Sequence, residues 1–380
     1  MKVICAPDSF KESLSAVEAA HAMAVGVRRA APDADIDKCP VGDGGEGTLE
    51  SLLESVGGQY VTAQCSNVFG QPIEARFGVL EGDGTAFVES AATIGLATIP
   101  PGERDVMRSS SYGVGQLIMS AADHSPGTII VGIGGSATND CGCGMAQALG
   151  IRFYDAADKL VSEPISAGML RKISRIDASH RRDRIAAATI VVAADVKNPL
   201  TGADGAARVF APQKGASKQQ VAELDDSLRH IAGLIRRDLG IDIELVAGAG
   251  AAGGLGGALL AFAGAEIASG IEIVLNAVNF ETRVRNADLC LTGEGCLDAQ
   301  SLSGKACLGV AARSSAQGVP TIALVGRAGA GADQALDAGI SNYIAIGEGL
   351  SIEESIRMAA PLLADAADKL TREFLINAQR

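Results

Sequence analysis

Five loops carry nearly all the side chains in this chain that could do chemistry, and each follows a strand-like run. The most telling run is Thr128-Ile129-Ile130-Val131-Gly132-Ile133. It empties into Gly134-Gly135-Ser136-Ala137-Thr138-Asn139-Asp140 and then into a helical stretch from Met145 to Leu149. A β-branched apolar run of this kind reads as a buried parallel strand. Paired glycines let the backbone come close to a ligand, and the following helix N-terminus offers N–H groups with partial positive charge. Ser136, Thr138 and Asn139 can donate hydrogen bonds, and Asp140 can hold a cation. That is the chemistry of a phosphate-handling loop, although a plain Gly-rich strand-to-helix turn is an equal reading of this tract alone.

Four more loops of the same kind shift the balance. Val3 to Ala6 runs into Pro7-Asp8-Ser9-Phe10-Lys11-Glu12-Ser13, and Asp37 to Val41 into Gly42-Asp43-Gly44-Gly45-Glu46-Gly47-Thr48. Ile190 to Ala194 runs into Asp195-Val196-Lys197-Asn198-Pro199. Leu289 to Thr292 runs into Gly293-Glu294-Gly295, followed by Asp298, Gln300, Gly304 and Lys305. Each places acids, amides or a lysine at the carboxyl end of a strand, where open α/β sheets bind ligands. Lys11, flanked by Ser9 and Ser13, is a candidate contact for substrate or phosphate; the alternative is a solvated loop lysine. Asp43 and Glu46 are candidate metal ligands or a base, with Gly44 and Gly45 beside them, whereas an Asx turn feeding a helix accounts for Asp43 but not for its glycines. Asp195 occupies a common position for a Mg²⁺ ligand or a base, against a satisfied turn. Glu294, Asp298, Gln300 and Lys305 form the last cluster, and Gln213-Lys214 is a weaker candidate. His21, His124, His180 and His230 have no partners at useful spacing and receive no role.

The elements that position these loops alternate between helix and strand at both ends of the chain. Ser15 with Glu18 three residues on makes a capping box, and Val17, Ala20, Ala24 and Val27 follow at helical spacing up to Arg28-Arg29. A strand to Val41 and a helix from about Leu49 to Val56, closed by Gly57-Gly58, come next. From Gln59 to Ser90 the texture changes to short alternating stretches (Tyr60 to Gln64, Ile73 to Val79, Ala86 to Glu89) that read as antiparallel strands. Tyr112 to Ala122 and Ser217 to Leu239 read as helices, as does the Ala-rich stretch from Leu255 to Gly264. The tail returns to strands at Asp288 to Thr292, Thr321 to Val325 and Tyr343 to Ile346, with a long terminal helix from Ile352. The matching textures predict one α/β domain built from both chain ends, residues 1–65 and 285–380, with residues 66–284 inserted as a second α/β domain.

Composition narrows the function. The chain has 380 residues, 47% hydrophobic and 3% aromatic with no Trp, and a formal charge of −13. Two domains suit that length. Such an acidic, aromatic-poor protein repels nucleic acid and anionic membranes and lacks base-stacking platforms. Since the sequence opens on a strand-like run, no signal peptide is expected, and Glu266 and Glu272 interrupt the one Gly- and Ala-rich stretch that could suggest a membrane span. Cys141 and Cys143 have no C-x-x-C or histidine partners, so reduced thiols and a cytoplasmic location are expected rather than zinc.

The tracts, in this order and over almost the whole chain, resemble the type-1 glycerate kinase family of bacteria. The resemblance rests on Ala6 to Lys11, Asp43 to Thr48, Gly134 to Asp140, Phe210-Ala211-Pro212-Gln213-Lys214-Gly215-Ala216, Gly248 to Gly256 and Thr292 to Gly295. Gly42, Cys141 and Ala194 depart from the family's usual residues without removing a chemical group. The resemblance implies a Rossmann-like domain and a second α/β domain with an active-site cleft between them. It implies ATP and Mg²⁺ as cofactors, D-glycerate as substrate, transfer to the 2-hydroxyl rather than the 3-hydroxyl, and leaves a homodimer open. Phosphoryl transfer needs phosphate donors, oxygen ligands for the metal, a base and a cationic grip on the substrate carboxylate. On this reading Lys11, Asp43 and Asp195 are catalytic. Ser9, Gly44, Gly45, Glu46, Gly134, Gly135, Ser136, Asn139, Glu294, Gln300 and Lys305 bind substrate or phosphate, and Asp43, Asp195 and Asp298 hold the metal. No Walker A motif is present, since Gly304-Lys305-Ala306 lacks both the earlier Gly and the Ser/Thr. The rival reading takes Gly248 to Gly253 as a G-x-G-x-x-G turn with Glu272 as a ribose contact, which would make an NAD(P)-dependent dehydrogenase.

Overall fold

The computed structural model describes residues 1–82, 84–124, 127–298 and 306–378. The chain forms two compact α/β units. The first comprises Met1–Asp43, Glu50–Gly57 and Ser269–Arg380, and the second Gly44–Leu49 and Gly58–Ala268.

The first unit holds a five-stranded sheet in the order Asn342–Ala345, Thr321–Val325, Leu289–Thr292, Lys2–Cys5, Asp35–Lys38. All its pairings are parallel, so every strand delivers its following loop to the same edge. Val3, Ile4 and Cys5 pair with Leu289, Cys290 and Leu291 and are fully buried, as an apolar strand covered on both faces must be. The helix Ala16–Ala30 starts where the sequence says it should. The Ser15 hydroxyl accepts the Glu18 N–H at 3.2 Å, and the Glu18 carboxylate accepts the Ser15 N–H at 2.8 Å. Its buried face (Ala19, Met23, Val27) packs on Leu363, Ala367 and Leu370 of the helix Ala359–Ala378. The two backbones nearly touch, because a Cβ on Gly26 would lie 2.1 Å from the Ala364 carbonyl oxygen. The terminal helix is not continuous from Ile352 as its pattern predicts. It breaks into Ile352–Arg357 and Ala359–Ala378, because Pro361 has no N–H to bond the Arg357 carbonyl and its ring would collide with it.

The second unit holds a six-stranded sheet in the order Glu266–Ala268, Thr189–Ala193, Thr128–Gly132, Ala86–Glu89, Pro72–Leu80, Gly58–Ser66. The first four strands run parallel. Pro72–Leu80 pairs antiparallel with both Ala86–Glu89 and Gly58–Ser66, as the change of texture after Gln59 predicts, but Ala86–Glu89 also pairs parallel with Thr128–Gly132, which that texture does not predict. Its core includes Phe77, Phe87 and an edge-to-face pair of Phe153 on Phe262 with centroids 5.9 Å apart. All eight cysteines are free, and among the described residues no helix is long and apolar enough to cross a membrane.

Candidate functional site

In the first unit the neighbouring strands Lys2–Cys5 and Leu289–Thr292 end side by side, and their loops are tied by the Asp8 N–H donating to the Gly293 carbonyl at 2.9 Å. Only glycine fits at 293, since a Cβ there would lie 2.1 Å from the Leu324 carbonyl oxygen. The loops open onto a cavity of about 300 Å³. Its lining combines polar residues, among them Asp8, Ser9, Lys11, Asp43, Glu294 and Arg327, with the apolar Phe10, Ile346, Ile352 and Ile356. Four residues proposed from the sequence (Ser9, Lys11, Asp43, Glu294) therefore meet in one place. Glu294 is buried, whereas Lys11 and Arg327 are exposed.

The Asp8 carboxyl of this pocket is strongly perturbed. Burial, then the charges of Asp43 and Glu294, push it up to about 7, against the opposing Ser9 N–H bond at 2.6 Å and Lys11. Asp8 and Arg327 were not among the residues singled out from the sequence. Asp8 carries a readable signal, being the first acid after the apolar run Val3 to Ala6. Arg327 carries none, because only the fold brings the end of Thr321–Val325 to this pocket.

In the second unit the loops at 44–47 and 132–136 lie backbone on backbone. A Cβ on Gly132 would lie 2.3 Å from the Gly44 carbonyl oxygen, and one on Gly134 would lie 2.8 Å from Gly45 Cα. Gly44, Gly45, Glu46, Gly134 and Gly135 are thus one surface. Gly135 is held at φ 68° while its carbonyl accepts the Leu96 N–H at 2.7 Å, and the Ala137 N–H donates to the Ile94 carbonyl at 2.8 Å. Glu89, at the end of the adjacent strand, accepts the Leu49 N–H at 2.8 Å. It is pushed up to about 7 by burial, with Glu46 adding to the rise and the N–H groups of Leu49, Gly47 and Thr48 opposing it. Glu89 is a further residue the sequence did not single out.

Two expectations for this loop need correcting. The helix beyond it, Cys143–Ala148, does not offer free N–H groups. Asp140 accepts from the N–H groups of Ser111, Gly142 and Gly144 and from the Ser111 hydroxyl, and that hydroxyl accepts the Met145 N–H. Asp140 is for the same reason an anchor for the loop rather than a cation ligand: it is fully buried and its oxygens are spent. Asn139 differs from it. It is fully buried, and neither atom of its amide has a partner among the described residues.

Asp195 follows the strand Thr189–Ala193, next to the loop of Thr128–Gly132, and is half-buried. Asp298 lies 3.9 Å from the Cys296 thiol, and it is not among the residues lining the first unit's cavity. Asp43 and Asp298 belong to the first unit and Asp195 to the second. Among the described residues no three His, Cys, Asp or Glu side chains gather closely enough to form a metal cage. Gln300 and Lys305 lie outside the described residues.

The dinucleotide reading of Gly248 to Gly253 fails on local structure. No strand precedes the tract, and its glycines are consumed by packing on the chain's own backbone. A Cβ on Gly250 would lie 2.1 Å from the Pro199 carbonyl oxygen, and one on Gly253 would lie 2.1 Å from that of Thr138. Glu272 is paired with Arg313.

Residues 3–375 match the sequence model of the glycerate kinase family. A protein of Escherichia coli K12 named glycerate 2-kinase is 46% identical over 86% of this chain and 85% of its own. One from Bacillus subtilis 168 named glycerate kinase is 42% identical over 97% and 96%. A solved structure assigned as glycerate kinase 2 from Salmonella typhimurium LT2 covers 100% of both chains at 41% identity, with a TM-score of 0.88.

Proposed function

The chain belongs to the glycerate kinase family, and from that premise we propose that it phosphorylates D-glycerate with ATP and Mg²⁺, at the 2-hydroxyl. The observation that carries the reading is the first unit's pocket, where two cations (Lys11, Arg327) and four carboxyls (Asp8, Glu12, Asp43, Glu294) line a space suited to a small acid. Lys11 and Arg327 grip the glycerate carboxylate. The Asp8–Asp43 pair takes the proton of the attacked hydroxyl, a role suited to a carboxyl held near neutrality. The glycine surface of the second unit suits phosphate, since its backbone has no side chain to hold a ligand off. Bound ATP supplies the transferable phosphoryl group. Magnesium accepts oxygen ligands and keeps several waters, so one or two carboxylates from Asp43, Asp195 or Asp298 suffice and a closed protein cage is not needed. Transfer to the 2-hydroxyl is supported by the E. coli relative, which is named a 2-kinase. The free, mostly buried thiols fit a reducing compartment such as the cytoplasm.

Purified protein with Mg-ATP and D-glycerate should release ADP, and EDTA should stop it. Enolase added without a mutase should dehydrate the product if the 2-hydroxyl is the acceptor, and should leave it untouched if the 3-hydroxyl is. Glycerate-dependent NAD(P)H turnover without ADP release would overturn the reading.

A further inference from the structure

Lys214 is 3% exposed, yet no carboxylate lies within ion-pair distance of it among the described residues. Its ammonium donates to the Ser136 hydroxyl at 3.1 Å and to the Thr138 carbonyl at 2.7 Å, which leaves one N–H without an acceptor. The carboxylate whose charge acts on it, Asp140, has its oxygens committed to Ser111, Gly142 and Gly144. On the same loop that Lys214 bonds, the Thr138 hydroxyl and both ends of the Asn139 amide are buried and unpartnered. The backbone N–H groups of Thr138 and Asn139 likewise donate to nothing among the described residues. Burying a cation with only neutral acceptors is unfavourable, and a methionine of similar length would fill the space without that cost. So many buried donors with no acceptor make a site that lacks its anion.

We propose that Lys214 is the cation of a phosphate-binding site on the loop Gly134–Asn139, where it takes a phosphoryl oxygen of the nucleotide through its remaining N–H while Asn139 and Thr138 bind beside it. The proposal rests on the reading that this loop handles the phosphates of ATP. Desolvation has pushed the Lys214 amine down to about 7, and the charge of a bound anion offsets that by favouring the ammonium.

The test uses the full chain and the variants Lys214→Met and Lys214→Arg. Loss of one charge-assisted hydrogen bond to phosphate should raise the KM for ATP by about tenfold or more in Lys214→Met. The KM for D-glycerate should hold, and Lys214→Arg should recover part of the loss. A raised KM for D-glycerate alone would assign the cation to the substrate carboxylate, and unchanged kinetics with a lowered Tm would make it a structural lysine; either overturns the proposal. Should the variants fail to fold, NMR of lysine-¹³Cε-labelled wild type keeps the question decidable. The lysine signal that titrates near neutrality should move to higher pH on addition of inorganic tripolyphosphate, and a titration unmoved by tripolyphosphate would refute the site. Because that titration needs no turnover, it separates failure of this site from failure of the kinase reading.

Discussion

Replacing Asp8 by Asn should make the protein more stable and less active, and both effects should depend on pH. Asp8 is half-buried beside Asp43 and Glu294, and desolvation with the charges of those two acids raises its carboxyl from an ordinary 3.8 to about 7. A raised carboxyl opposes folding once the unfolded chain can ionise. The penalty is absent below about pH 4, grows as pH climbs through the interval up to about 7, and is constant above it. A rise of that size corresponds to about 4 kcal/mol at about pH 8 and about 2 kcal/mol at about pH 5.5, as upper values for a residue that shares its environment with Asp43. Asn keeps the oxygen that accepts the Ser9 N–H and never ionises. Urea unfolding of wild type and Asp8→Asn at the two pH values should therefore show a gain for the variant that widens by about 2 kcal/mol toward alkaline pH. In parallel, wild-type kcat/KM should rise about tenfold per pH unit below about pH 7 and level off above it, whereas the variant should lose activity across the range. A stability gain that is equal at both pH values, or an active Asn variant, would refute the assignment of Asp8 as a desolvated base.

Lys11→Ala should lower kcat/KM by about 100-fold or more with an unchanged circular dichroism spectrum, because an exposed loop lysine adds little to folding; near-normal kinetics would return it to the solvent. Asp43→Asn and Asp195→Asn keep turn-forming ability but remove charge. Each should raise the Mg²⁺ concentration needed for half-maximal rate if it is a ligand, or lower kcat at constant ATP affinity if it is a base, and wild-type rates in both would displace the active site from these loops. Gly134→Ala puts a methyl 2.8 Å from Gly45 Cα. It should lower Tm and weaken ATP binding together, which thermal melts with and without ATP would read.

The sheets were legible in the sequence because their strands are continuous apolar runs ending in loops of small and polar residues. Val3 to Ala6, Ile129 to Ile133 and Leu289 to Thr292 all behave this way, and the capping box at Ser15 marks its helix just as plainly. What escaped was tertiary. Asp8 and Glu89 acquire their raised pKa from burial and from acids distant in sequence; the place of Asp8 after the run Val3 to Ala6 is readable, but that environment is not. Arg327 sits in a stretch with no site signature and reaches the pocket only through the pairing of Thr321–Val325 with Leu289–Thr292. Asp140 looked like a ligand because its tract is rich in polar groups. Its actual partner, Ser111, lies 29 residues earlier. The glycines of 248 to 256 imitate a nucleotide turn because packing against backbone and packing against phosphate both demand the same missing Cβ.

The first unit closes over a very long stretch of chain. Its strand Lys2–Cys5 is flanked by Leu289–Thr292, and its first helix rests on the helix Ala359–Ala378. During synthesis the N-terminal strand leaves the ribosome with one of its two neighbours still hundreds of residues from being made. The six strands of the second sheet all fall between residues 58 and 268, so they can assemble while the first sheet is still waiting. Until the last helix emerges, Val3, Cys5, Met23 and Val27 form an apolar surface without a cover, the kind of surface that chaperones hold and that aggregation exploits. Loss of the final helix, even with every catalytic loop intact, should leave a chain whose second unit folds and whose first does not.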